Sequence, residues 1–132
     1  MANGLFVAAK KKMLEGDLGW DDGPNKVALI DTGVYSVNLA ADDFYDDADA
    51  GEVAISGNLS GLTTTGAVAD ANDITIADVA GNTVEAAVTL QDSGDPATSP
   101  MFSYHDTGAG FPLTPNGGDV DVIFHSSGVF AL

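Results

Sequence analysis

The chain contains no cysteine and no arginine. The first absence rules out disulfides, thiolate nucleophiles and cysteine-ligated zinc or iron–sulfur centres, so stability has to come from packing and hydrogen bonds. The second leaves four lysines as the only permanent cations: Lys10, Lys11 and Lys12 in a row, and Lys26. From Met13 onward one lysine stands against twenty acids, a net charge of −19. A body this negative repels nucleic acid, whose phosphates need cationic neutralisation. It equally disfavours anionic membrane surfaces. No apolar run approaches the ~18 residues needed to span a bilayer. The apolar stretch 5–9 precedes the lysines, the reverse of a secretory signal, so the chain is expected to act without export.

Enough apolar residues are present for a core. The chain has 132 residues, 45 % of them hydrophobic, which fits one folded domain. Among the acids only Glu15, Glu52 and Glu85 are glutamate and the other seventeen are aspartate. Aspartate favours turns and caps over helix interiors, so the bias suits a loop-rich β protein.

Along the chain, residues 4–16 read as a short helix with Leu5, Phe6, Ala9 and Met13 near one face and Gly16 at its end. Residues 16–25 are turn-rich, with Trp20 expected to pack over the edge of the core. The period then changes to two. Residues 26–31 (KVALID) are a buried strand, and 52–56, 66–69, 73–78, 84–91, 100–105, 119–125 and 128–132 are further strands separated by Gly, Asn, Thr and Pro. Residues 38–50 hold a helical turn among five aspartates. Short strands at roughly ten-residue spacing predict a mainly β fold, a single-domain antiparallel β-sandwich or barrel with a short N-terminal helix. Residues 1–16 form the helical arm and 26–132 the β domain.

Several constellations suggest chemistry. Asp-Thr-Gly occurs at residues 31–33 and 106–108, and the first copy, after Ala28, Leu29 and Ile30, resembles the active-site motif of aspartic proteases. That chemistry needs two carboxylates sharing a proton. A chain of this length does not house two such lobes, and the later apolar-apolar-Gly element of a dimeric enzyme is not found. The simpler reading is a strand ending in a turn capped by aspartate. Asp42, Asp43, Asp46, Asp47 and Asp49 are calcium-type ligands without EF-hand spacing, and read as a solvated acidic loop. His105 and His125 are too few for a metal site, and no serine motif accompanies them. No glycine-rich phosphate cradle precedes a helix. The expectation is therefore no enzyme, no cofactor and no metal. The lysine trio suits either a solvated helix end or a basic foot that docks on an acidic partner.

Taken end to end, the chain resembles small virion structural proteins of tailed bacteriophages. The resemblance rests on Met1, Ala2, Asn3, Gly4 and Leu5; on residues 26–32; on Thr98, Ser99, Pro100 and Tyr104; and on Asp106, Thr107 and Gly108. Its most distinctive stretch is Pro112, Leu113, Thr114, Pro115, Asn116, Gly117, Gly118, Asp119 and Val120, and residues 128–132 resemble the ending of such proteins. This chain is more acidic than they usually are. The resemblance implies a decoration (cement) protein on the capsid surface, assembled in the host cytoplasm, with the major capsid protein as partner. Such proteins bridge capsomers through many weak contacts, and a β domain at a symmetry axis suits a homotrimer. The expected docking residues are Leu5, Phe6, Lys10, Lys11 and Lys12, and removing residues 1–13 is expected to abolish binding without unfolding the β domain. Alternatives are a tail or head–tail connector protein, an Asp-Thr-Gly protease, or a host-surface binding module using Tyr35, Tyr45 and Phe111 on loops.

Overall fold

The stretch KVALID becomes the middle of the largest sheet. A computed structural model of the chain describes residues 4–107 and 110–131. In it β1 (Gly4–Leu5), β2 (Asn25–Ile30), β3 (Glu52–Ile55), β7 (Ala86–Gln91) and β8 (Met101–His105) form one sheet in the order β1-β8-β7-β2-β3. Strands β4 (Thr63–Thr65), β5 (Val68–Asp70) and β10 (Phe130–Ala131) form a second, ordered β10-β5-β4, and β6 (Ile74–Ile76) pairs with β9 (Val120–Val122). Every pairing is antiparallel. The one α-helix among the described residues, α1, spans Val7–Leu14. The fold is thus mainly β, as expected. Its described strands make three separate sheets, and no barrel closes.

Strands β2 and β7 are buried at consecutive positions, Val27 to Ile30 and Ala86 to Leu90, so both faces of the main sheet are covered. The register Val27↔Thr89 and Ala28↔Val88 splits these residues between the faces. The strand β10 reaches the core through Phe130. Its ring stacks on Phe102 at 5.9 Å, and Trp20 meets both edge-on, at 5.0 Å from Phe102 and 5.3 Å from Phe130. Offset and edge-on pairs of this kind add to area burial. Trp20 is 4 % exposed and its indole N–H donates to the Asp70 carbonyl at 2.8 Å, so it lies inside the core and not over its edge. Gly128 sits where β10 approaches β5: its φ is +106°, and a side chain there would press on the Ala69 carbonyl at 2.8 Å.

The N-terminal boundary differs from the expectation. Gly4 and Leu5 pair with Tyr104 and Ser103 of β8, and Phe6 N–H donates to the Phe102 carbonyl. Residues 4–14 are therefore built into the β domain, and the separate arm proposed for 1–16 is corrected accordingly; residues 1–3 lie outside the described residues. The segment 66–69 also differs. Gly66, at φ +60°, turns the chain between β4 and β5, and the three threonines of β4 lack the apolar alternation that marks a strand.

Candidate docking surface

Helix α1 begins at Val7 because Phe6 is extended (φ −65°, ψ 137°) and its amide is committed to β8. It ends in a Schellman arrangement: Gly16 N–H donates to Met13 O and Asp17 N–H to Lys12 O, with Gly16 at φ +78°. Lys11 and Lys12 in the last turn complement the negative end of the helix dipole. The eight residues lie between these two fixed ends, which sets the face each one presents.

Phe6 and Ala9 are buried, and Met13 packs half-buried against the core. The opposite stripe carries Val7, Lys10, Lys11 and Leu14 at i, i+3, i+4 and i+7. Val7 is 50 % exposed and Leu14 90 %, and they are two of the four large hydrophobics exposed among the described residues, with Val34 and Ile123. Lys11 reaches Glu15 at 2.6 Å, and Lys12 lies 4.7 Å from the centre of the Phe44 ring. Lys26 is elsewhere, paired with Asp92 at 2.7 Å, and holds that carboxyl below its usual range. Among the described residues Lys10 makes no ion pair. Beside the helix runs an open groove of about 600 Å³, lined in part by Lys11, Lys12, Glu15, Asp17, Asp43 and Phe44.

The expected docking set is corrected by this geometry. Phe6 is 0 % exposed and Leu5 is half-buried in a strand. The apolar face read as a contact surface is the one the helix turns to its own core. Lys10, Lys11 and Lys12 remain accessible to different degrees, Lys10 and Lys11 exposed on the outer stripe, Lys11 in its pair with Glu15, and Lys12 half-buried against Phe44. Val7 and Leu14 are left outside because Phe6, Ala9 and Met13 take the face turned to the core.

The other constellations are occupied by the fold itself. In the first Asp-Thr-Gly, Asp31 Oδ1 accepts from Gly33 N–H at 2.8 Å and Oδ2 from Asn82 at 3.0 Å, while Thr32 donates through N–H and Oγ1 to Glu85. The second copy leaves β8 on the far side of β7 from β2, and Asp106 lies near enough to Tyr104 to help raise that hydroxyl's pKa. Its Gly108 lies outside the described residues. The two carboxylates thus leave different strands of the sheet, and Asp31 has its own local donors. In the acidic loop, Asp42 accepts from Asn38 N–H and the Tyr35 hydroxyl, Asp43 from Phe44 N–H, and Asp47 from Asp43 N–H. The Asp43 amide lowers the Asp47 pKa, but partial burial and the charges of Asp42, Asp43 and Asp46 outweigh it and leave the carboxyl above its usual range. No group of three or more His, Asp or Glu among the described residues is arranged to hold a metal ion.

Two tyrosines donate to carboxylates, Tyr35 to Asp42 and Tyr45 to Glu52, and Tyr104 lies near Asp106. Burial, then the carboxylates, pushes the Tyr35 and Tyr45 hydroxyls far above their ordinary value; burial and Asp106 push Tyr104 up to about 12. Tyr35 and Tyr45 are 5 % and 3 % exposed, so they are not the loop aromatics of a host-binding surface; Phe111 is half-buried. Ser103 Oγ lies 2.8 Å from His105 Nε2, a pairing no sequence motif announced. Ser103 is 0 % exposed and also bonds Thr89 across the strands, so this is an internal polar contact closed to substrate. No helix among the described residues is long and apolar enough to cross a membrane. No protein-family model matches the chain, and no curated protein matches it.

Proposed function

We propose that the chain is a structural protein of a tailed-phage virion, a decoration (cement) protein that sits on the outer capsid shell and bridges capsomers. The observation that carries the reading is the outer face of α1 on a well-packed β body. Three of the four lysines lie on that short helix, with Val7 and Leu14 exposed on its outer face, and all the acids follow it in sequence, Glu15, Asp17 and Asp43 lining the groove beside it. A basic stripe flanked by exposed apolar groups suits a protein held by that side and solvated on the other. The engagement of Asp31, Asp106, Ser103 and His105 in internal contacts supports a role in assembly over catalysis. The resemblance in residues 112–120 supports the virion setting. In this reading the partner is the major capsid protein and the chain is a homo-oligomer, a trimer where it occupies a threefold position.

The nearest competing role is a tail or head–tail connector component. The two differ in stoichiometry, because a shell offers many equivalent sites and a tail few. Quantifying the chain against the major capsid protein in purified particles tests this. Decoration predicts on the order of hundreds of copies per particle, and a count near that of a tail component overturns it.

A further inference from the structure

We infer that Val7, Lys10, Lys11 and Leu14 of α1 act as one helical anchor, and that the surface it enters is a protein surface with carboxylates around an apolar pocket. The inference rests on the reading of the chain as a shell-bound virion protein and adds the residues and the partner's chemistry. The spacing i, i+3, i+4, i+7 is that of a helix laying one stripe into a groove. Leu14, at 90 % exposed, is the largest uncovered apolar group on the helix, and nothing in the described chain folds over it. Lys10 and Lys11 lie between the two apolar residues and define the sign of the complement.

Charge selects the kind of partner. At physiological salt, fields decay over roughly 8 Å, so the contact region decides and the distant acidic body does not. Within that region the outer stripe of the helix is basic, whereas the adjoining groove sets Glu15, Asp17, Asp43 and Asp92 against Lys11 and Lys12 and is net acidic. A planar anionic bilayer would press its headgroups against both and be repelled by the second. A protein surface places its carboxylates opposite Lys10 and Lys11 alone. A second copy of this chain also offers acids around the groove beside its own α1, so oligomeric state is read as a separate outcome of the test.

The test uses the full-length chain added back to isolated shells that lack it, with occupancy read by quantitative gel densitometry. The variants are Leu14→Ser and the double variant Lys10→Glu with Lys11→Glu, each checked for an unchanged urea midpoint. Leu14→Ser is expected to weaken binding about tenfold or more, from the apolar area left in water. The double variant is expected to weaken it at least as much, and raised salt is expected to weaken the parent chain and not the double variant. Parent binding with unaltered binding by both variants overturns the anchor and leaves the virion reading in place. Failure of the parent to bind shells overturns both. Co-sedimentation with phosphatidylserine vesicles that the same variants abolish, or a change of oligomeric state without a change in shell binding, overturns the choice of partner.

Discussion

Replacing Phe6 by alanine tests whether the N-terminal segment belongs to the β domain. Phe6 is fully buried, follows the two residues that pair with β8, and donates its amide to Phe102. Phe6 belongs to the same buried core as Trp20 and Phe102, so its truncation leaves a cavity in that core. Truncating a buried phenylalanine costs about 3–5 kcal/mol, the transfer of the ring plus the cavity left behind. For a chain of this size that is a large share of a total stability of roughly 5–15 kcal/mol. It corresponds to a fall in Tm on the order of 10–20 °C. Trp20 is the only tryptophan and is buried, so its fluorescence reports urea unfolding directly. Phe6→Ala is expected to lower the urea midpoint with an unchanged slope. Val7→Ala and Leu14→Ala, one and eight residues away but outward, are expected to stay within about 0.5 kcal/mol of the parent. A loss below about 1 kcal/mol for Phe6→Ala would refute the integration of residues 4–14 and restore the picture of a detachable arm.

Three further outcomes are expected. The tyrosines are held protonated in the fold, with pKa values raised above the ordinary value of about 10, so the stability they contribute is full below that pH and lost as pH rises through the folded values. Tyrosinate absorbance should therefore rise together with unfolding in an alkaline titration, and a tyrosine that ionises near pH 10 in the native chain, as a free one does, contradicts the buried hydrogen bonds. Burial lowers the His105 pKa, with Asp106 opposing, so its contribution is complete above about pH 6.5 and declines as pH falls toward the folded value. Its imidazole resonances should titrate below that of a free histidine, and Ser103→Ala should cost about 1–3 kcal/mol by stranding buried polar neighbours. Asp31→Asn keeps the acceptor for Gly33 N–H, so stability is expected within about 1 kcal/mol of the parent and particle proteins should be processed as before. Loss of a cleavage event in that variant would revive the protease alternative.

The strands were legible because period-two patterning survives in short segments: β2, β3, β6, β7, β8 and β9 lie within or one residue from the stretches it marked. What escaped depended on tertiary partners. Strand β1 is two residues long and exists only because β8 offers an edge, so no local pattern announces it. Strand β4 is three threonines, made a strand by the turn at Gly66. The inward face of α1 was read correctly in Phe6, Ala9 and Met13, but periodicity alone does not say whether an apolar face meets the chain's own core or another protein. Here the core claims it, and the outward stripe falls to Val7 and Leu14. The tyrosine–carboxylate pairs Tyr35–Asp42 and Tyr45–Glu52 each join residues seven apart, and side-chain direction there is a product of the fold. The aspartates of residues 42–47 carried their meaning openly: turn-capping is what that residue does in a loop.

The most direct test of the central claim is a density map of the intact virion at a resolution that traces strands. The account predicts the β body outside the capsid, repeated at equivalent sites, with α1 facing the shell and Leu14 in contact with it. Density for the chain in the tail, or on the shell with α1 pointing into solvent, would contradict it.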